Sequence, residues 1–194
     1  MLTIILDALY KKDPVSRALW IWLGFFAALW LVFGLAYFTH PQAWSGVEEA
    51  RRQTGWSVFW TILVSNSLLL LLIIAGNLFA RFGVVTPGLV ILAIQAVMIG
   101  WTAGTNGFLE PFVTLGEANA AFLRIGLWET SAYSLLCAVT LPKSLLVSKT
   151  FPAREWVQQR KLKDLHFTKG ELAIAVCGIV CLFGSACIEA FLPG

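Results

Sequence analysis

Five apolar runs constrain this chain more than any other feature: Ala18 to Phe38, Ser57 to Phe79, Val84 to Thr102, Ala121 to Leu141 and Leu172 to Leu192. An α-helix needs about 20 residues to cross a bilayer core, and each run has roughly that length. Inside lipid every backbone N–H and C=O must be satisfied within the protein, so each such segment is read as a helix. The predicted architecture is an all-α, polytopic membrane helical bundle with about five transmembrane helices, a single domain over residues 1–194. Hydrophobic residues make up 58% of the chain and charged residues 13%, which excludes an ordinary soluble domain.

Orientation follows from the basic residues. Of the 14 Lys and Arg, Arg124 lies within a span and Arg51 and Arg52 in the first outer loop. All the others fall on the side of the N terminus, so the positive-inside rule predicts N-in and C-out in the cytoplasmic membrane. The positive net charge is thus a topology signal, and no nucleic-acid partner is expected. The first run has full spanning length and no small-residue cleavage site after it, so the N terminus is expected to be retained.

Residues 1–17 carry Leu2, Ile5, Leu6 and Leu9 at helical spacing, which predicts an amphipathic segment at the inner surface or, equally, a partner-docking helix. In the first outer loop Glu48 and Arg52 are four apart and suit a pair on a short helix. The inner loop 142–171 is basic. Its segment AREWVQQRKLKDL, after Pro152, predicts a helix whose Trp156, Arg160, Lys161 and Lys163 form a candidate cytoplasmic docking or lipid-binding surface. The outer loop 103–118 is acidic, with turn residues and the free choice of dipping back into the bundle.

Polar residues inside the spans are the candidates for function, because they are costly in lipid and tend to face a bundle interior. In span four Thr114 and Glu117 have capping-box spacing, and Gly126, Glu129, Tyr133 and Cys137 form one stripe expected to face protein. By depth, Asn66, Gln95 and Glu129 fall near the bilayer middle on three helices and form a candidate buried polar centre. Arg124 and Glu189 lie at similar outer depths and form a candidate ion pair. Gly100 and Gly104 have a small-xxx-small spacing suited to close helix approach. The four Cys lie within spans and have no CxxC spacing, so they read as small apolar contacts.

His40 and His166 both lie outside the runs, and neither an HExxH nor a GxSxG motif occurs. No enzyme activity, metal or cofactor is therefore expected.

Spans two to five resemble the stage II sporulation protein M family, through SNSLLLLLIIAGNLFARFG, TPGLVILAIQAVMIG, GLWETSA and the closing IEAFLPG. Asn66, Gly126 with Glu129, and Ile188 to Phe191 match elements common in that family, whereas Ile125 stands where members often have His. The resemblance implies a non-catalytic integral membrane scaffold or anchor that assembles other membrane or extracytoplasmic proteins, with a role in envelope or peptidoglycan remodelling. Homo-oligomers are compatible with that role. The alternative is a small channel or transporter subunit using the Asn66, Gln95 and Glu129 layer.

Overall fold

The structure, a computed structural model, describes residues 9–10, 12–45 and 53–192. The amphipathic pattern at Leu2, Ile5 and Leu6 and the Glu48–Arg52 pair lie outside the described residues. Four helices are long and apolar enough to cross a membrane. They are α1 (Pro14–Thr39), α2 (Trp56–Phe79), α3 (Pro87–Gly104) and the last one, α5 (Lys169–Phe191). Between α3 and α5 runs α4, in three joined segments: Leu115–Ala121, a π-helical turn Phe122–Gly126, and Leu127–Thr140.

Local chemistry sets where these helices begin. Asp13 caps α1 by accepting from the backbone N–H groups of Val15 and Ser16, and Pro14 occupies the first turn, where its missing N–H costs nothing. Helix α1 therefore starts four residues before the predicted Ala18, and the end of the predicted amphipathic segment, including Arg17, belongs to it. Thr86 and Pro87 repeat the device at α3. Thr114 caps α4 by accepting from Glu117 N–H at 3.2 Å. At α5 the capping box is complete: Thr168 Oγ1 accepts from Glu171 N–H, and the Glu171 side chain accepts from Thr168 N–H.

The long helices are apolar on the outside as well as the inside. Leu31 is 75% exposed, Leu71 60% and Val180 63%, a pattern that suits a lipid-facing surface and that water would oppose. The second half of helix α4 is the exception. It packs against α1, α2, α3 and α5, and Leu136 to Thr140 are buried without interruption. Leu123 and Trp128 of its first half are exposed, but Thr130 to Thr140 are buried or half-buried throughout, so this stretch can carry Thr, Ser and Tyr where the outer helices carry Leu and Val.

Helices approach closely at glycines. A Cβ on Gly100 would stand 2.4 Å from the Leu29 carbonyl oxygen, and one on Gly104 2.5 Å from that of Phe33, so the predicted small-xxx-small pair is where α3 crosses α1. A second crossing, of α2 and α3, is set by Gly76 and Gly88; a Cβ on Gly88 would lie 2.2 Å from the Ile73 carbonyl oxygen.

At one end of the bundle, called here the basic end, the loops build a three-stranded sheet. Its strands are β1 (Ala80–Phe82), β2 (Leu146–Ser148) and β3 (Val157–Gln158), in that order, with β1 parallel to β2 and β2 antiparallel to β3. This corrects the helix expected for AREWVQQRKLKDL: Trp156 immediately precedes β3, Arg160 and Lys161 follow it in irregular chain, and Lys163 lies in a short 3-10 turn, Leu162–Asp164. The segment's backbone is bonded elsewhere. Val157 and Gln158 pair with β2, and the N–H groups of Gln159 and Arg160 both point to the Leu145 carbonyl. The Trp156 ring lies 5.1 Å from that of Phe82, a contact with β1 that a local helix does not require.

Candidate functional site

The opposite end of the bundle holds a cavity of about 630 Å³ lined by all five helices. Leu29, Trp30 and Phe33 form its α1 wall, and Val58, Thr61 and Ile62 its α2 wall. Phe122, Ile125, Gly126 and Glu129 face it from α4, and Glu189 from α5. The mouth is framed where α2 begins and α5 ends, which the Gly55 N–H to Ala190 carbonyl bond ties together at 2.9 Å. The loop after α3 completes the rim with Phe108, Glu110 and Phe112. That loop is pinned by Asn106, which takes a left-handed backbone conformation and exchanges two hydrogen bonds with the Phe112 main chain, at 2.9 and 3.0 Å.

Glu129 is the deepest charge-bearing residue on the wall. Tyr133, one turn further along α4, donates its phenolic hydrogen to Glu129 Oε1 at 2.7 Å. The Asn66 side chain on α2 acts on the same carboxyl group. Asn66 is ten residues into α2, so the group sits about 15 Å below the mouth. In the predicted stripe, Gly126 and Glu129 line the cavity while Tyr133 and Cys137 are buried.

Two of the proposed groupings are changed. Gln95 is half-buried on α3, does not line the cavity and makes no hydrogen bond to Asn66 or Glu129, so the three-residue layer is replaced by Asn66, Glu129 and Tyr133. Equal depth places residues on one level, but their angular positions decide which of them meet. Arg124 and Glu189 form no ion pair within 4 Å; among the described residues the ion pairs are Arg17–Glu171 and Lys143–Glu171. Arg124 lies in the π-helical turn, and its buried Nε has no hydrogen-bond partner. A π turn closes i→i+5 bonds and so rotates what precedes it relative to an unbroken α-helix, shifting Arg124 away from the phase its sequence position implies. Glu189 lines the cavity instead.

The basic end is closed by two buried polar clusters. Glu171 is 3% exposed and takes Arg17 Nη2 on Oε1 at 3.1 Å and Lys143 Nζ on Oε2 at 2.8 Å. Arg17 also donates from Nε to the Ala138 carbonyl and from Nη1 to that of Lys12, and Lys143 donates to the His166 carbonyl. Three charges thus tie the start of α1, the end of α4 and the start of α5. The T-x-x-E spacing of Thr168 and Glu171 is a signal in the sequence for the cap, but nothing local indicates that the same carboxylate also binds two cations.

Asn77 is the second clasp. It is fully buried and donates from Nδ2 to the Cys137 carbonyl at 3.2 Å and to Thr140 Oγ1 at 2.9 Å. Its Oδ1 accepts from Thr86 Oγ1, and its own carbonyl accepts from Ser144 Oγ at 2.7 Å. Helices α2 and α4 and the cap of α3 are joined through this one side chain.

The fold and site together define a helical membrane protein with one end sealed by buried polar contacts and the other opened by a central cavity. The sequence matches no protein family, no curated protein and no solved structure.

Proposed function

We propose that this chain is a non-catalytic scaffold of five spans in the cytoplasmic membrane, with its basic end inside, and that it holds a partner protein on the three-stranded sheet. The observation that carries this reading is the surface the sheet presents. Phe151 is 83% exposed, Val157 62% and Leu162 68%, among exposed Lys149, Arg154, Lys161 and Lys163. Apolar anchors ringed by basic groups fit a partner surface that is apolar at its centre and acidic at its rim. The resemblance to the stage II sporulation protein M family agrees with such a role. A photo-crosslinker at Leu162 is expected to give one discrete protein adduct in cells, lost when Lys161 and Lys163 are both replaced by Glu. Adducts that are diffuse, or that persist in the charge-reversed variant, count against the platform.

The orientation has its own test. Reporter fusions at Gly107 and at Gln158 are expected to report outside and inside respectively, because the basic residues cluster at the end that carries Gln158. The same compartment for both refutes the topology.

The cavity favours a second reading, a small channel or transporter subunit. A static channel, however, needs a route through the basic half, and the Asn77 and Glu171 clusters occupy that half with buried, mutually bonded groups. A cavity closed on that side agrees better with binding than with conduction. A Glu129-dependent flux in proteoliposomes replaces the scaffold reading with transport.

A further inference from the structure

We propose that the cavity is a binding site for an amphipathic organic monocation, a ligand with one positive centre on an apolar, partly aromatic body. The inference is independent of the partner platform, which lies at the other end of the molecule.

Size and wall chemistry point to this class. A volume of about 630 Å³ is that of a site for a drug-sized molecule and far exceeds the space a bare metal ion needs. Most of the wall is apolar, with Trp30, Phe33 and Phe122 offering ring surfaces. The charge-bearing side chains among the described lining residues are Glu110, Glu129 and Glu189, and none is Lys, Arg or His. Among the described lining residues an anion meets carboxyl groups and no Lys, Arg or His, while a cation gains the Glu129 carboxyl group and the aromatic side chains. Hard metal cations ask for six or more oxygen ligands, and among the described residues no group of three or more His, Cys, Asp or Glu is placed to hold a metal.

The wall also orients the ligand. Glu110 and Glu189 are near the mouth, whereas Glu129 is about 15 Å inside and its carboxyl group is held by Tyr133. Ile62, Ile99 and Ile125 line the same cavity with the aromatic side chains. A cationic head directed to Glu129 therefore leaves an apolar body against apolar walls. Glu110 at the rim adds negative potential at the mouth.

The test uses a pair of probes of the same shape and opposite charge, tetraphenylphosphonium and tetraphenylborate. Each is titrated by equilibrium dialysis into the full chain in lipid nanodiscs, with empty nanodiscs subtracted for bilayer partition. Saturable, one-to-one binding of tetraphenylphosphonium is expected, with no saturable binding of tetraphenylborate. Glu129→Gln is expected to weaken the phosphonium at least about tenfold, the scale of one lost through-space charge–charge interaction. Thr61→Trp, which fills the lumen and leaves Glu129 in place, is expected to abolish saturation and decides the matter should the first variant fail to fold. Equal saturable binding of both probes, no saturable binding of either, or phosphonium binding unchanged in Thr61→Trp overturns the proposal. Loss of the platform adduct at Leu162 does not bear on it, so the two readings fail separately.

Discussion

Glu171→Ala is expected to cost about 3 to 5 kcal/mol of stability, the largest effect of any single substitution considered, because it leaves two buried cations without their shared anion. Arg17 is 3% exposed and Lys143 8%, so neither can turn to water without opening the basic end. The same change removes the reciprocal half of the capping box at Thr168. Glu171→Gln should cost less, since the amide oxygen can still accept from the Thr168 N–H and from one cation. The check is unfolding of the purified protein in mixed micelles by increasing denaturing detergent, followed by circular dichroism. A Glu171→Ala protein within about 1 kcal/mol of the parent refutes the argument, since that is the scale of an exposed pair. Apolar replacement of all three partners, Arg17→Met, Lys143→Met and Glu171→Leu together, is expected to recover much of the loss. Burying ions is itself costly, and removing every partner leaves no stranded charge.

Asn77→Ala is expected to be the next most damaging change, at about 2 to 4 kcal/mol. The side chain is fully buried, and truncating it deprives the Thr86 hydroxyl of its acceptor and the Cys137 carbonyl and Thr140 hydroxyl of a donor. Each stranded buried group costs roughly 1 to 3 kcal/mol, with partial relief from other local partners. The Cys137 carbonyl has such relief, because it still accepts from the Leu141 N–H. Asn77→Asp keeps the acceptor for Thr86 but replaces the donor with an oxygen facing two acceptors, so it should fare no better than Ala. The same unfolding assay ranks the series. An Asp variant as stable as the parent shows that the amide's donor contacts are unimportant.

The helical membrane character of this protein was readable from the chain because its cause is local. A run of about twenty apolar residues has one inexpensive way to satisfy its backbone in lipid, and the helix follows whatever its neighbours are. Start signals are equally local: Thr114 caps α4, and Pro87 opens α3. The close approach at Gly100 and Gly104 was legible for a related reason, since spacing by four puts two missing side chains on one face.

Tertiary structure decided everything that depends on which faces meet. The depth of Glu129 could be counted along the helix, but its hydrogen bond from Tyr133, its neighbour Asn66 and the cavity beside it depend on helix rotation. Arg124 and Glu189 stand at comparable depths and do not pair, whereas Arg17 and Lys143, far apart in sequence, converge on Glu171. Residues 154–165 have a composition suited to a basic surface helix, but β1 and β2 offer their backbone partners in a sheet. Lipid forces each apolar segment to become a helix one at a time. Charges and strand backbones instead need partners from distant parts of the chain, and those exist only once the bundle has assembled.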